Sequence, residues 1–279
     1  MVDPAGEWRE TQGLRWRPLA PFGAEIYRDL AEPLSVDQER AFVELLWAHA
    51  LLLARGQSLA MERQRALCGL AGPILLRAGE TGIMTNEGGG PSATELAWHA
   101  DAAYTDAPFD ALSLHALDVV DEASSTRFVH AGQALARLPP ELRARLEHAR
   151  VEMISPGYDA LGGRTCDRRD PPAQKRGEQP AIRVNPHTGE EVLWVGELQA
   201  ARVLGMAWEE SRDLLHAVYD HLYQPGHVHE HRWRTGDLVI WDNIALQHMR
   251  GGLENCGRRV LQRVIVGTEG VAPHIRTVA

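Results

Sequence analysis

Short apolar segments separated by glycine, proline and asparagine run through most of the chain. This pattern limits the possible folds more than any other feature of the sequence. Because each segment is short and is followed by turn residues, successive strands can double back on one another. Strands are predicted at 14–30, 74–86, 97–104, 111–120, 182–184, 191–195, 227–233, 238–242 and 259–266. The pattern predicts a mainly β fold of the sandwich or jelly-roll type.

Helices are predicted in a few places, where they would flank the strands. Ser35 and Gln38 form a capping box before an apolar repeat at helical spacing that ends at Gly56. Further helices are predicted at about 59–70, 139–149 and 208–222. Since the sequence shows neither an internal repeat nor a linker that would split it, we predict one domain over 1–279.

The segment 157–180 departs from the strand pattern. It is rich in glycine and proline, poor in apolar residues, and carries the cations Arg164, Arg168, Arg169, Lys175 and Arg176. A loop of this length inside a domain is usually a functional lid or a disordered excursion. We predict a lid loop, and two interpretations of its cations stay open: they close over an anionic ligand, or they are simply solvated.

Composition excludes several classes of protein. With 29 Lys+Arg against 38 Asp+Glu, the net charge of −9 does not suit a sequence-independent nucleic-acid binder. No apolar run reaches the roughly 18 residues of a membrane span. The acidic, polar N-terminus does not resemble a signal peptide, so a cytoplasmic location is expected. The three dispersed cysteines indicate neither a disulfide framework nor a zinc knuckle. The sequence leaves a homo-oligomer open.

His99 and Asp101 form the first candidate site. Residues two apart on a strand face the same side, so the predicted strand 97–104 would point both side chains at one ion. One histidine, one carboxylate and a distant second histidine make a facial triad, which suits non-haem Fe(II) and leaves three positions open. The tripeptide alone is weak evidence, because a chain with 13 histidines can contain it by chance.

The run from Thr235 to His248 is the second candidate. A turn leads into an apolar strand that ends in Trp-Asp-Asn at 241–243, and His248 follows a short loop. Arg259 lies 11 residues after His248, and Arg263 lies four beyond that. Because Arg259 and Arg263 are an even number of residues apart on one predicted strand, they face the same way, and Arg258 faces the other.

Together these motifs resemble the taurine and 2,4-dichlorophenoxyacetate dioxygenase (TauD/TfdA) family of Fe(II)- and 2-oxoglutarate-dependent oxygenases. The resemblance covers about residues 14–268 and includes the opening segment 17–26 and the hairpin 182–189. It implies a double-stranded β-helix, which is a cupin-like jelly roll, with flanking helices. It also implies that His99, Asp101 and His248 bind the iron.

The resemblance further implies which residues bind the organic molecules. Thr126 and Arg259 match the family's ligands for 2-oxoglutarate, and Arg263 matches its arginine for an anionic substrate group. Tyr104 matches an aromatic near the substrate, with core packing as an equal alternative. The implied reaction consumes O2 and 2-oxoglutarate, releases succinate and CO2, and hydroxylates a small organic anion. That anion is a carboxylate or sulfonate, and intermediates of natural-product synthesis are among the candidates.

Two other functions fit parts of this pattern. A non-catalytic jelly-roll binding module would not need the five residues together, and a mononuclear metal hydrolase would have no use for Arg259. A halogenase is not expected, because related halogenases lack the carboxylate that Asp101 supplies. One position departs from the family: Arg250 stands two residues after His248, where members often carry a small residue. Because the five residues occur together and include Arg259, we expect an oxygenase.

Overall fold

The computed structural model describes residues 6–77, 82–87, 94–156, 161–268 and 275–278. The helices are α1 (Val36–His49), α2 (Met61–Gly69), α3 (Ala131–Ala136), α4 (Pro140–Leu146) and α5 (Trp208–Leu222). The strands are β1 (Arg9–Thr11), β2 (Leu14–Pro18), β3 (Ala24–Ile26), β4 (Leu51–Ala54), β5 (Ile74–Arg77), β6 (Ile83–Thr85), β7 (Leu96–His99), β8 (Ala111–Val119), β9 (Ser125–His130), β10 (Arg150–Pro156), β11 (Ala173–Pro180), β12 (Ile182–Val184), β13 (Glu191–Leu193), β14 (Ala200–Val203), β15 (Val228–Arg232), β16 (Leu238–Asp242), β17 (Leu246–Arg250), β18 (Arg259–Val266) and β19 (Ile275–Val278). None of the described helices has both the length and the hydropathy needed to cross a lipid bilayer.

Two sheets form the predicted jelly roll. The larger has the strand order β1-β2-β3-β4-β16-β8-β18-β5-β19, with β6 also paired to β18. The smaller has the order β15-β9-β17-β7. All of these strand pairs are antiparallel except β3 with β4. Neighbouring strands come from distant parts of the sequence, as the long connections of a jelly roll require.

Apolar clusters fill the space between the sheets and cover their outer faces. Phe128 of the smaller sheet packs with Leu112 and Trp241 of the larger one, so this cluster lies between the sheets. Helices α1 and α2 cover the outer face of the larger sheet, and α5 belongs to the cluster that covers the smaller one. The mainly β prediction with flanking helices is therefore confirmed, because the sheets supply the faces on which the helices bury their apolar sides.

The predicted helix that extended to Gly56 is wrong in its last turn. Helix α1 ends at His49, where Ala50 adopts a left-handed conformation with φ 62°, and residues 51–54 form β4 between β3 and β16. All four residues of β4 are buried. A continuous apolar run fits a buried strand as well as a helix, so periodicity could not separate the two.

The predicted lid loop is also partly wrong. Residues 157–160 lie outside the described residues, but 173–180 form β11, which pairs with β10 along its length. Arg164, Arg169 and Arg176 form ion pairs with Glu197, Glu209 and Glu152. These pairings favour a structural role for the three cations over closure onto a ligand. Strand β11 was not predicted because its charged, solvated face lacks the apolar alternation that identifies strands in a sequence.

Candidate metal centre

Two neighbouring strands of the smaller sheet bring the predicted triad together. His248 on β17 stands opposite His99 at the end of β7 in the ladder. His99 Nε2 lies 3.3 Å from Asp101 Oδ1, and His248 Nε2 lies 3.9 Å from the same oxygen. One candidate ligand atom from each residue lies within 4.8 Å of the other two. The three side chains can therefore share one metal ion.

Asp101 reaches this position in a way that the strand-face prediction did not describe. Strand β7 ends at His99, and Asp101 lies in the following turn, where Ala102 has φ 60°. The prediction of a strand over 97–104 was therefore wrong after His99. Side chains from other elements hold this turn, among them Asn243, which bonds to the main chain of Asp101.

The environments of the three side chains suit metal binding. His99 Nδ1 lies 2.8 Å from the carbonyl oxygen of Ala97, so Nε2 is the ring nitrogen that faces the site. Burial lowers the pKa of His248 to about 3, and the charges of His99 and Arg263 act in the same direction. For Asp101, burial alone would raise the pKa, but the hydrogen bond to His99 and the nearby positive charges lower it overall. Neutral imidazole and ionised carboxylate are the forms that ligate Fe(II).

A cavity of about 490 Å³, open to solvent, adjoins the triad. Its apolar wall consists of Met84, Leu96, Leu112, Leu114 and Trp241. Its polar wall consists of the triad together with Thr126, Arg250, Arg259 and Arg263. The mixed lining suits an organic anion with an apolar body.

Arg259 is the most deeply buried cation of this wall. It is 3% exposed, and among the described residues its Nε has no hydrogen-bond partner. Burial lowers the pKa of Arg259 to about 10, and the charge of Arg250 acts in the same direction, so the guanidinium stays charged at neutral pH. A buried cation with an unused donor beside a cavity is stabilised by an anion there, and a guanidinium fork fits a carboxylate.

Thr126 faces the same cavity from β9. Its Oγ1 accepts a hydrogen bond of 3.0 Å from the indole N–H of Trp233. Because the oxygen already accepts this bond, the hydroxyl proton can be donated to a second group. Thr126 and Arg259 can therefore both donate to one carboxylate.

Arg263 and Arg258 confirm the predicted alternation along β18. Arg263 lines the cavity with Arg259, and its positive charge lowers the pKa of Asp101. Arg258 lies at the surface, where it pairs with Glu87 and Asp118. The two inward arginines thus have a neighbour on the outer face that serves as a matched control.

The cavity lining differs from the predicted site at two residues, Tyr104 and Arg250. Tyr104 is not among the described residues that line the cavity, and it packs partly buried against the cluster beneath the smaller sheet. Its predicted contact with substrate stays a prediction. Arg250, noted only as a departure from the family, lines the cavity at 8% exposure, and its Nη2 donates to the carbonyl oxygen of Thr94 at 2.6 Å. Its position two residues after His248 on a strand was the available signal.

A second group with metal-ligand side chains, Cys166, Asp167 and His216, lies away from the cavity. His216 Nδ1 lies 3.2 Å from Nη1 of Arg164, and its Nε2 lies 2.6 Å from Asp167. Burial raises the pKa of the Cys166 thiol to about 12. A neutral thiol beside a guanidinium does not suit a cation, and hydrogen bonding accounts for this group.

Comparison with known proteins agrees with this geometry. Residues 15–265 match the family described as "Taurine catabolism dioxygenase TauD, TfdA family". The chain is 28% identical over 272 residues to the alpha-ketoglutarate-dependent 2,4-dichlorophenoxyacetate dioxygenase of Cupriavidus pinatubonensis, covering 88% of this chain and 94% of that protein. It is 28% identical over 182 residues to pentalenolactone F synthase of Streptomyces arenae, covering 61% of each. A taurine dioxygenase structure from Burkholderia xenovorans superposes with a TM-score of 0.77 at 22% identity, covering 95% of both chains, and shares the fold.

Proposed function

The chain belongs to the TauD, TfdA family and is an Fe(II)- and 2-oxoglutarate-dependent dioxygenase, and on that premise we propose that it hydroxylates an unactivated C–H bond of a small organic carboxylate or sulfonate. The observation that carries the proposal is a single cavity in which the His99, Asp101 and His248 triad meets inward-facing arginines. A metal hydrolase or a non-catalytic binding module does not fit membership of this dioxygenase family.

In this proposal His99, Asp101 and His248 hold Fe(II). When bound, the iron activates O2 in a reaction that couples decarboxylation of 2-oxoglutarate to substrate oxidation. Because burial lowers the pKa of His248 to about 3, its imidazole is neutral at pH 7 and binds the ion without first losing a proton. With only these three residues as protein ligands, the ion would stay accessible to small molecules.

Arg259 and Thr126 hold the distal carboxylate of 2-oxoglutarate. The guanidinium offers a planar pair of donors, and the hydroxyl, with its oxygen engaged by Trp233, offers a third. Arg259 and Thr126 are each 3% exposed, so water competes little for these bonds, and the low local dielectric strengthens them. The co-substrate is thereby oriented with its 2-oxo acid end toward the triad.

Arg263 binds the anionic group of the substrate. It shares the strand face of Arg259, four residues further along β18, and therefore projects into the same cavity at a different depth. The leucine side chains and Trp241 then contact the hydrocarbon part of the molecule. The relative that acts on 2,4-dichlorophenoxyacetate takes a carboxylate of this kind, and pentalenolactone F synthase supports natural-product acids as candidates.

One catalytic domain over 1–279 completes the proposal. The site draws β7 and β9 from the first half of the chain and β17 and β18 from the second. Neither half contains the whole triad, so both halves are needed for activity.

The test begins with anaerobic protein, Fe(II) and 2-oxoglutarate, which should give the weak visible charge-transfer band of the chelate. Arg259→Ala should lose the band at the same 2-oxoglutarate concentration, and Arg258→Ala should keep it. With O2, succinate release is then measured across aryloxy acids, alkyl sulfonates and terpenoid acids, with their methyl esters as uncharged controls. No band and no succinate would defeat the proposal, and equal turnover of acids and esters would defeat its anionic substrate.

A further inference from the structure

We propose that Asn243 is a positioning residue that sets the metal-binding carboxylate of Asp101 by bonding to both main-chain polar groups of that residue. The inference rests on the proposed function, in which Asp101 is an iron ligand.

Asp101 needs such support because its strand has already ended. The ladder between β7 and β17 pairs His99 with His248 and Leu96 with Arg250 and extends no further toward Asp101. The next residue, Ala102, has φ 60°, a conformation that residues with a Cβ seldom adopt. Local structure therefore does not fix the direction of the carboxylate, and unusual backbone of this kind persists only where its surroundings hold it.

Asn243 supplies the missing bonds from 142 residues away in the sequence. Its Oδ1 accepts from the N–H of Asp101 at 2.8 Å, and its Nδ2 donates to the carbonyl oxygen of Asp101 at 2.9 Å. The same Nδ2 donates to the carbonyl oxygen of Phe109 at 2.9 Å. The amide is fully buried, so these bonds do not compete with solvent.

Other side chains hold the turn but not Asp101 itself. Gln199 Nε2 donates to the carbonyl oxygen of Ala100, and Trp194 Nε1 donates to that of Ala103. They fix the residues on either side of the turn. Asn243 differs because it bonds to the two peptide groups that flank the Cα of the ligand.

The turn that carries Asn243 is itself rigid and leads directly to another ligand. Asp242 Oδ1 accepts from the N–H groups of Ile244 and Ala245 at 2.8 and 2.9 Å, and its Oδ2 accepts from Asn185 Nδ2 at 2.7 Å. Strand β17 begins immediately afterwards and carries His248. One turn therefore fixes the position of Asp101 relative to His248.

The test measures Mn(II) affinity by calorimetry and the visible bands of bound Co(II), neither of which requires turnover. Groups that orient metal ligands typically contribute 10–100-fold to affinity, so Asn243→Ala should weaken Mn(II) binding by about 10–100-fold and alter the Co(II) bands. Asn243→Asp keeps an acceptor for the Asp101 N–H but places a carboxylate oxygen against the carbonyl oxygens of Asp101 and Phe109, so it should also weaken Mn(II) binding. Asn255→Ala, which changes an exposed asparagine, should bind as the unmodified chain does.

A double-mutant cycle separates positioning from general damage. Asp101→Ala removes the carboxylate but keeps the main-chain groups that Asn243 contacts. In that background Asn243→Ala should cost no more than about twofold in Mn(II) affinity, the scatter expected of independent sites. An equal loss in both backgrounds would overturn the inference, as would undiminished binding by both Asn243 variants. If Asp101→Ala alone bound Mn(II) normally, the failure would belong to the proposed function.

Should Asn243→Ala fail to fold, the cycle is run with Asn243→Asp, with circular dichroism of the metal-free proteins confirming native secondary structure. The same two patterns of loss then decide the question, because the aspartate also lacks both donor bonds.

Discussion

Besides two histidines and a threonine, the polar residues on the cavity wall are three arginines and one aspartate. The chain as a whole carries a net charge of −9, so its surface is predominantly acidic, whereas this cavity is cationic. Burial lowers the pKa of both Arg250 and Arg259, because each guanidinium has given up water for a protein environment. Such a cluster is stabilised by a bound anion more than by any solvent arrangement.

Arg250 provides a prediction at this scale. Arg250 lines the cavity and its charge acts on Arg259, so in the proposed complex it can donate to the same carboxylate of 2-oxoglutarate. We therefore expect Arg250→Met to raise the Kd for 2-oxoglutarate by about tenfold or more, since a hydrogen bond to a charged group contributes about 1.5–3 kcal/mol. The methionine keeps much of the apolar stem that fills the wall. Anaerobic titration of the charge-transfer band gives the Kd, with Arg258→Met as the control. An unchanged Kd would show that Arg250 serves only to hold the chain at Thr94.

Residue identities at the site were largely predictable, and their environments were not. The resemblance to the family, through the offset of 11 residues from His248 to Arg259, singled out Arg259 and Arg263, and the alternation along the strand gave them one face. Periodicity gives the face of a strand, which Arg250 shares with His248, but it does not say whether that face carries water or a ligand. For Tyr104, periodicity likewise did not show that it packs, partly buried, against the cluster beneath the smaller sheet.

At the scale of elements, two segments that contribute no ligand pack against the backbone that carries the metal ligands. Strand β11 passes so close to the turn that an added Cβ at Gly177 would overlap the backbone carbonyl oxygen of Tyr104. At the end of β7, a Cβ at Gly196, in the loop after β13, would lie 2.9 Å from the carbonyl oxygen of Trp98 and 3.3 Å from the Cα of His99. Because Gly177 and Gly196 have no Cβ, their segments can pack in direct contact with the backbone that carries the metal ligands.

Gly177→Ala tests this packing. The methyl group should force β11 away from the turn, destabilise the fold by about 1–3 kcal/mol, and weaken Mn(II) binding. Gly163→Ala is the matched control, because a Cβ there meets nothing within 4 Å. Chemical denaturation and Mn(II) calorimetry supply the two measurements. If Gly177→Ala and Gly163→Ala bind Mn(II) equally well, β11 has no part in supporting the turn.

Elements were predicted best where their signal is local. Helix α5 and strands β16 and β18 have the predicted bounds, because each has a regular period and ends at turn residues. Strands β4 and β11 were missed for opposite reasons: β4 is apolar on both faces, and β11 is polar over most of its length. In both, pairing with neighbouring strands decides the conformation, and that pairing has no local signature.

At the scale of the whole molecule, bound metal and 2-oxoglutarate should stabilise the packing of distant parts of the chain against one another. Because β7, β9, β17 and β18 meet only in the folded state, Mn(II) and 2-oxoglutarate bind that state preferentially. Their binding is therefore linked to global stability.

Saturating Mn(II) with 2-oxoglutarate should raise Tm by several degrees, since ligand at about 100 times its Kd stabilises the folded state by about 2.7 kcal/mol. EDTA should reverse the rise. Asp101→Ala should lose most of it, and Arg258→Ala should keep all of it, as measured by differential scanning fluorimetry. A rise of the same size in Asp101→Ala would place the metal elsewhere in the molecule.

The sequence by itself determined the mainly β class, the spacing of the candidate ligands and the shared face of Arg259 and Arg263. These follow from side-chain periods and offsets, which are properties of short segments. Only the tertiary structure decided how Asp101 reaches His248, since its main chain is held by Asn243 rather than by its own strand. It also decided that Arg250 faces the cavity and that β11 is a strand. The physical reason is that hydrogen bonds and close packing between residues far apart in sequence overrule weak local preferences, and such contacts exist only once the chain has folded.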